Sequence, residues 1–264
     1  MGGPTYTVTR GIVLRDTETK ETDKILTILT ENFGKISAIG RGARRKNCKF
    51  AASAQPLVWS EWTLYRKGDW FYVHEGNTLE LFGGLRQDLD AMALGFYFSE
   101  LTEAVTAEGE PAGEVLRHLL NGLYALGHLR KDPELVKAAF EFRLMCLVGY
   151  EPLADACVVC GCPDPDQPML DVAQGVLHCR TCGAGTHTLS MPLCSSSLAA
   201  LRHLLYGDPK RLYSFQVGPE ALDRLADAAE AFVAAQLERG FRTLDFYKSL
   251  RCVPDYQPKT DNQT

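Results

Sequence analysis

Residues 6–40 read YTVTRGIVLRDTETKETDKILTILTENFGKISAIG. Across 6–15, Tyr6, Val8, Arg10, Ile12 and Leu14 alternate with Thr7, Thr9, Gly11 and Val13, the two-residue period of a β-strand. Residues 24–30 are dense in Ile, Leu and Thr, which suit a pleated chain, and Asn32-Phe33-Gly34 turns into a third run at 35–40. Further along, LVWSEWTLY at 57–65 and a run at 69–77 flank the turn Arg66-Lys67-Gly68. Five short β-rich runs split by Gly, Asn and Asp turns predict a small antiparallel barrel over residues 1–80, and the count suits an OB-fold or an SH3-like barrel equally.

The period changes at Phe82-Gly83-Gly84. From Asp88, Leu94, Tyr97, Phe98, Leu101 and Val105 recur at three- and four-residue steps, the spacing of a helix ending near Gly109. A second helix is expected over 111–130. A third is capped by Asp132, with Pro133 in its first turn and Gly149 just past its end. Residues 195–206 and 219–239 read as two more. The fold class is therefore α+β multidomain: a barrel, a helical domain over 81–252, and a polar tail at 253–264 that reads as disordered.

Between the third helix and Ser195 stand Cys157-Val-Val-Cys160-Gly161 and Cys179-Arg-Thr-Cys182-Gly183, with 18 residues between the pairs. That spacing is characteristic of a four-cysteine zinc site, and nine cysteines would place only roughly 0.3 such pairs by chance. A closed shell of four thiolates leaves no position for water, so the implied Zn²⁺ is structural and lies in a loop spanning 153–190. An iron–sulfur cluster and redox-active CxxC pairs are the competing readings. Cys162 and His178 stand next to the set as alternative ligands. A glycine after each second cysteine is expected to provide the positive φ of a metal knuckle.

Residues 41–49 carry five positive charges, Arg41, Arg44, Arg45, Lys46 and Lys49, and no acid occurs between Lys35 and Ser60. Lys35, Arg10, Arg15, Arg66 and Lys67 lie near in sequence, interleaved with Phe33, Trp59, Trp62, Tyr65, Trp70, Phe71 and Tyr72. Cations that grip phosphate together with exposed rings are what single-stranded nucleic acid requires; a merely solvated loop above a core of buried rings is the plainer reading. The net charge of −5 over 264 residues conceals a split, since residues 1–80 hold 12 basic against 9 acidic residues. Screening over ~8 Å lets such a basic domain act apart from an acidic one.

Other classes fall away. No apolar run approaches the ~18 residues of a membrane span, and the first residues lack the basic and apolar regions of a signal peptide. Nine cysteines without an export signal fit a reducing compartment, so a cytoplasmic protein is expected. A zinc deaminase needs H-x-E before its PCxxC, whereas His74-Glu75 are adjacent. No nucleophile elbow, P-loop or dinucleotide fingerprint is present, so no catalytic residue is assigned.

In this order, residues 11–15, 23–30, 33–35 and 40–44, then Gly149-Tyr150-Glu151-Pro152 leading into Cys157, and 241–250 near the end, make the chain resemble the RecO family of bacterial recombination mediators over about residues 5–252. The resemblance implies an OB-fold barrel and a non-enzymatic role: binding single- and double-stranded DNA, annealing complementary strands and, with RecR, helping load RecA onto DNA coated by single-strand-binding protein. It implies DNA contacts at Arg41, Arg44, Arg45 and Lys46, extending to Lys49, Lys35 and Arg10. It also implies a helical domain that receives the C-terminal tail of single-strand-binding protein, and work at the nucleoid during repair. A zinc-ribbon regulator of transcription or RNA is the alternative, and a metal-dependent hydrolase would require an open coordination position.

Overall fold

In the computed structural model, described here for residues 5–129, 131–183 and 189–251, five strands close a barrel: β1 (Tyr6–Thr19), β2 (Asp23–Thr30), β3 (Gly34–Gly40), β4 (Trp59–Lys67) and β5 (Trp70–Glu80). The order is β1-β2-β3-β5-β4, with β4 returning to β1. The pairings are antiparallel except for the short β3–β5 contact, where Ala38 faces Phe71 and Ile39 faces Tyr72. This is OB topology, so the SH3-like alternative falls. The tail at 253–264 lies outside the described residues.

β1 serves two neighbours. Its first half pairs with β4 from Tyr6 to Ile12 and its second half with β2 from Gly11 to Thr19, across an irregularity between Val13 and Arg15. Val13, Leu26, Ile28, Ile36, Trp62, Leu64 and Val73 fill the interior. The buried indole N–H of Trp62 donates to the Gly11 carbonyl at 3.0 Å. The connection at 41–58 is a chain of turns, and its Ala43, Phe50 and Ala54 reach into the same core. Three apolar anchors thus fasten a loop whose intervening cations face water.

Among the described residues six α-helices follow: α1 (Leu89–Val105), α2 (Gly113–His128), α3 (Pro133–Leu147), α4 (Ser195–Tyr206), α5 (Pro219–Leu237) and α6 (Arg242–Arg251). The chain forms two compact units, Met1–His128 with Phe241–Thr264, and Leu129–Gly240. In the first, Asp88 caps α1 by accepting from the Ala91 N–H at 3.0 Å, and Ser99 of α1 donates to the Leu14 carbonyl at 2.8 Å, tying helix to barrel. The chain returns here at its end: Phe241 meets the Tyr97 ring edge-on at 5.7 Å, and the Thr243 N–H donates to the Glu100 carboxylate at 3.0 Å.

The second unit packs α3 against α5 and α4 beside a small sheet, β7-β6-β8, formed by β6 (Pro168–Asp171), β7 (Val176–Cys179) and β8 (Ser190–Pro192). Fully buried Lys137 of α3 lies 3.2 Å from Glu141 and 3.3 Å from Glu230. Burial disfavours its charge, but the carboxylates of Glu141, Glu230 and Glu134 outweigh that and raise its pKa above the usual 10.5. A raised lysine stabilises the fold fully below its ordinary value, and this stability is lost as pH climbs through the folded one. Lys137→Ala is expected to cost about 3–5 kcal/mol, because it strands a buried carboxylate, whereas pairing Lys137→Met with Glu141→Leu restores most of it. Denaturant midpoints measure this, and a Lys137→Ala loss below about 1 kcal/mol would contradict it.

Candidate metal centre and nucleic-acid interface

The four sulfurs of Cys157, Cys160, Cys179 and Cys182 all lie within 4.8 Å of one another. The Cys160 and Cys179 sulfurs are 3.6 Å apart, too far for a disulfide near 2.05 Å and close to the ~3.8 Å edge of a tetrahedron with 2.3 Å metal–sulfur bonds. Desolvation raises the buried Cys157 thiol, but N–H groups of Cys160, Cys179 and Val159 aimed at its sulfur prevail and hold its pKa at about 6. Desolvation and the neighbouring sulfurs of Cys160, Cys157 and Cys182 push Cys179 up to about 12. One thiolate forms readily while Cys179 and Cys182 resist ionising beside it, an opposition that a bound cation would relieve.

Both alternative ligands are otherwise placed. The Cys162 carbonyl accepts from the Cys157 N–H at 2.8 Å, and Cys162 is not in the group. His178 places Nδ1 at 2.9 Å from the Cys179 carbonyl and Nε2 at 3.0 Å from the Ser190 hydroxyl. A carbonyl can only accept, so Nδ1 carries the proton and Nε2 accepts from Ser190. The two knuckle glycines differ in purpose. Gly161 has φ of +72°, as expected, whereas Gly183 is needed because a Cβ there would stand 2.1 Å from the His178 ring. The helices hold this loop from outside: Arg202 of α4 donates to the carbonyls of Ala154 at 2.8 Å and Asp155 at 2.9 Å, and Gln236 of α5 donates to that of Val172 at 2.7 Å.

On the barrel, the β2–β3 register sets Lys24 opposite Gly40 and so brings the β1–β2 turn beside the start of the basic loop. Lys20, Arg41 and Arg45 line a cleft of about 600 Å³ there, together with Glu21, Thr22, Asp23 and Gly42. Asp23 is spent on structure, its carboxylate accepting the Gly42 N–H at 2.7 Å. That hydrogen bond, against opposing desolvation, lowers its pKa below the usual carboxylate value. The anchoring it gives is present above that ordinary value and fades as pH falls through the lowered one. The Arg41 guanidinium sits 4.9 Å above the Tyr72 ring, and Tyr72 is backed by Tyr65, parallel to within 15° at 5.2 Å. The ring stack braces Arg41 while its N–H edge remains free to meet an anion.

The remaining basic candidates are distributed unevenly. Arg44 pairs with Glu18 at 3.2 Å and donates to the Glu21 carbonyl at 3.2 Å. Lys46 and Lys49 are exposed on the same loop. Lys35 donates to the Glu103 carbonyl at 2.7 Å, and Arg10 stands 4.0 Å from Glu61 on β4. Arg15 is bound to Glu103 at 2.9 Å. Lys20 does not stand out in the sequence, although antiparallel pairing of the second and third strands points to it.

Family models for the Recombination protein O N terminal and the Recombination protein O C terminal match residues 5–82 and 86–245. The chain belongs to the RecO family. Its RecO relatives match along nearly their whole length. The "DNA repair protein RecO" of Acetivibrio thermocellus is 30% identical over 245 residues, covering 93% of this chain and 97% of the relative. That of Symbiobacterium thermophilum is 32% identical over 247 residues, covering 91% and 96%. Barrel, helical domain and cysteine cluster thus occur together in a RecO chain, as the motif order implied. Among the described residues, no helix is long and apolar enough to cross a membrane.

Proposed function

We propose that this RecO chain is a non-enzymatic mediator of recombinational repair. It binds single- and double-stranded DNA and anneals complementary strands. With RecR it helps load RecA onto DNA coated by single-strand-binding protein, whose tail docks on the helical domain of residues 81–252. The observation that carries this reading is the cleft of Lys20, Arg41 and Arg45 on the OB barrel of a RecO chain. Annealing makes and breaks no covalent bond. It requires phosphate repulsion between two strands to be reduced, which clustered cations achieve by displacing counterions. Arg41 and Arg45 act as the principal phosphate contacts of residues 1–80, Arg44, Lys46 and Lys49 extend the path, and Lys35 and Arg10 lie at its margin. Cys157, Cys160, Cys179 and Cys182 hold one Zn²⁺, which supplies a structural cross-link and no reaction. The protein works in the bacterial cytoplasm.

The test is annealing of labelled complementary strands coated with single-strand-binding protein, with and without RecR. The expected result is annealing well above the spontaneous rate, together with RecR-dependent RecA loading. Annealing no faster than without the protein would overturn the reading.

A further inference from the structure

Resting on that reading of the barrel as a DNA-binding domain, we infer that a second, electrically balanced groove beside the cationic cleft takes the unstacked bases of a single strand. β3 and β5 pair at only two positions, so the edge of β3 before Ala38 is left open by β5. Residues 108–109 cover part of it, with the Gly109 N–H donating to the Lys35 carbonyl at 3.0 Å. Between that segment and the β4–β5 turn lies a groove of about 600 Å³. Its apolar lining is aromatic apart from Ile36: Phe33 and Phe71 meet at 5.8 Å, and Trp70 is 43% exposed at the rim.

The charges of this groove are matched. Lys35 and Arg66 line it, but so do Asp69 and Glu108. The Lys35 ammonium is bonded to the Glu103 carbonyl, Arg66 lies 5.7 Å above the Phe71 ring, and Glu108 accepts from the Ser37 hydroxyl at 3.2 Å. A groove so balanced offers little to a phosphate. Its rings, however, suit flat, uncharged, polarisable groups, which is what a nucleobase presents once it leaves the stack. Position supports the same occupant. Trp70, Phe71 and Tyr72 are consecutive on β5, and Tyr72 is the ring beneath Arg41. A strand whose phosphates lie on Arg41, Arg45 and Lys20 therefore has its bases within reach of Trp70. A duplex, with its bases stacked and paired inside, cannot use the groove.

Trp70→Ala is the test, since an exposed rim residue can be removed without opening the core. Affinity for a single-stranded oligonucleotide is expected to fall roughly 5- to 150-fold, the range for losing one base–aromatic stack. Trp70→Phe should recover most of it. Against an abasic strand of the same length, or a duplex, the Trp70→Ala and wild-type proteins should bind alike, and the slope of log affinity against log salt should be unchanged. If Trp70→Ala binds the normal strand as well as wild type does, or loses equal affinity for the abasic strand, the groove is not a base site. Failure of the underlying reading would look different: the wild-type protein would bind neither normal nor abasic strands, and the groove would fall with it.

Discussion

Removing the metal is expected to release one zinc ion per chain and to unfold the loop of residues 153–183, while the barrel stays folded. The loop has little to hold it otherwise. Ala154, Leu170, Val172 and Leu177 are its main buried apolar residues, and its sheet has strands of three or four residues. So small a core does not offset the entropy of ordering thirty or so residues at ~1–2 kcal/mol each. Binding of about 10–16 kcal/mol, as found for structural zinc, supplies much of what so small a core leaves wanting. Hydrogen exchange before and after treatment with a strong chelator reads this directly: amides of 153–183 should lose protection, and those of β1–β5 should keep it. Cys157→Ser with Cys179→Ser should reproduce the effect without chelator. Exchange protection that survives complete metal loss would show that side-chain packing, with the anchors from Arg202 and Gln236, suffices. Visible absorbance in the purified protein would indicate an iron–sulfur cluster in place of zinc. DNA affinity should not follow the metal, and if it does, the loop contacts DNA.

What was legible in the sequence follows from which forces are local. The helices α1 and α2 announce themselves because apolar residues recur at three- and four-residue steps, whereas α3, buried on every side from Leu135 to Phe142, is marked by its caps. Even the Asp132 cap is visible before it is seen to accept the Glu134 N–H at 2.8 Å. In β3 and β4 alternation records which face turns inward, with Ile36 and Ala38 buried in one and Trp62 and Leu64 in the other, whereas in β1 the alternating Tyr6 and Val8 are exposed and Thr9 is buried. Elements held by something outside their own segment were missed. Residues 16–19, Asp-Thr-Glu-Thr, carry no apolar signal, yet they extend β1 because β2 satisfies their backbone. The strands β6, β7 and β8, of three or four residues, are too short for any period. The cysteine set itself was legible, since four thiols at fixed spacing need no tertiary knowledge. The cationic cleft was legible only in part: the loop supplied Arg41 and Arg45, whereas Lys20 joins them through strand register. The sequence also ranks Arg44 with Arg41, and only the fold shows one tied to Glu18 and the other braced on Tyr72.

That difference sets the expected outcome of removing the loop's charge. Converting Arg41, Arg44, Arg45 and Lys46 together to alanine should weaken single-strand binding by roughly 10³-fold or more, taking three engaged cations at about 1.5 kcal/mol each. The slope of log affinity against log salt should fall by about 0.7 for every phosphate that is no longer neutralised, so by roughly 2 to 3 in all. Thermal unfolding should hardly change, because Ala43, Phe50 and Ala54 fasten the loop from beneath and the Gly42 N–H remains bound to Asp23. The single variants separate clamp from scaffold. Arg44→Ala should lose little affinity, since its guanidinium already faces the Glu18 carboxylate. Arg41→Ala should lose much more, and Tyr72→Ala should share part of that loss without changing any charge, because an unbraced Arg41 must be ordered anew each time it meets a phosphate. Tyr72→Phe, which keeps the ring, should bind like wild type. A quadruple variant that keeps the wild-type salt slope would remove the basic loop from DNA binding altogether. Equal losses from Arg44→Ala and Arg41→Ala would instead mean that the Glu18 pair opens on binding and that both arginines grip the strand.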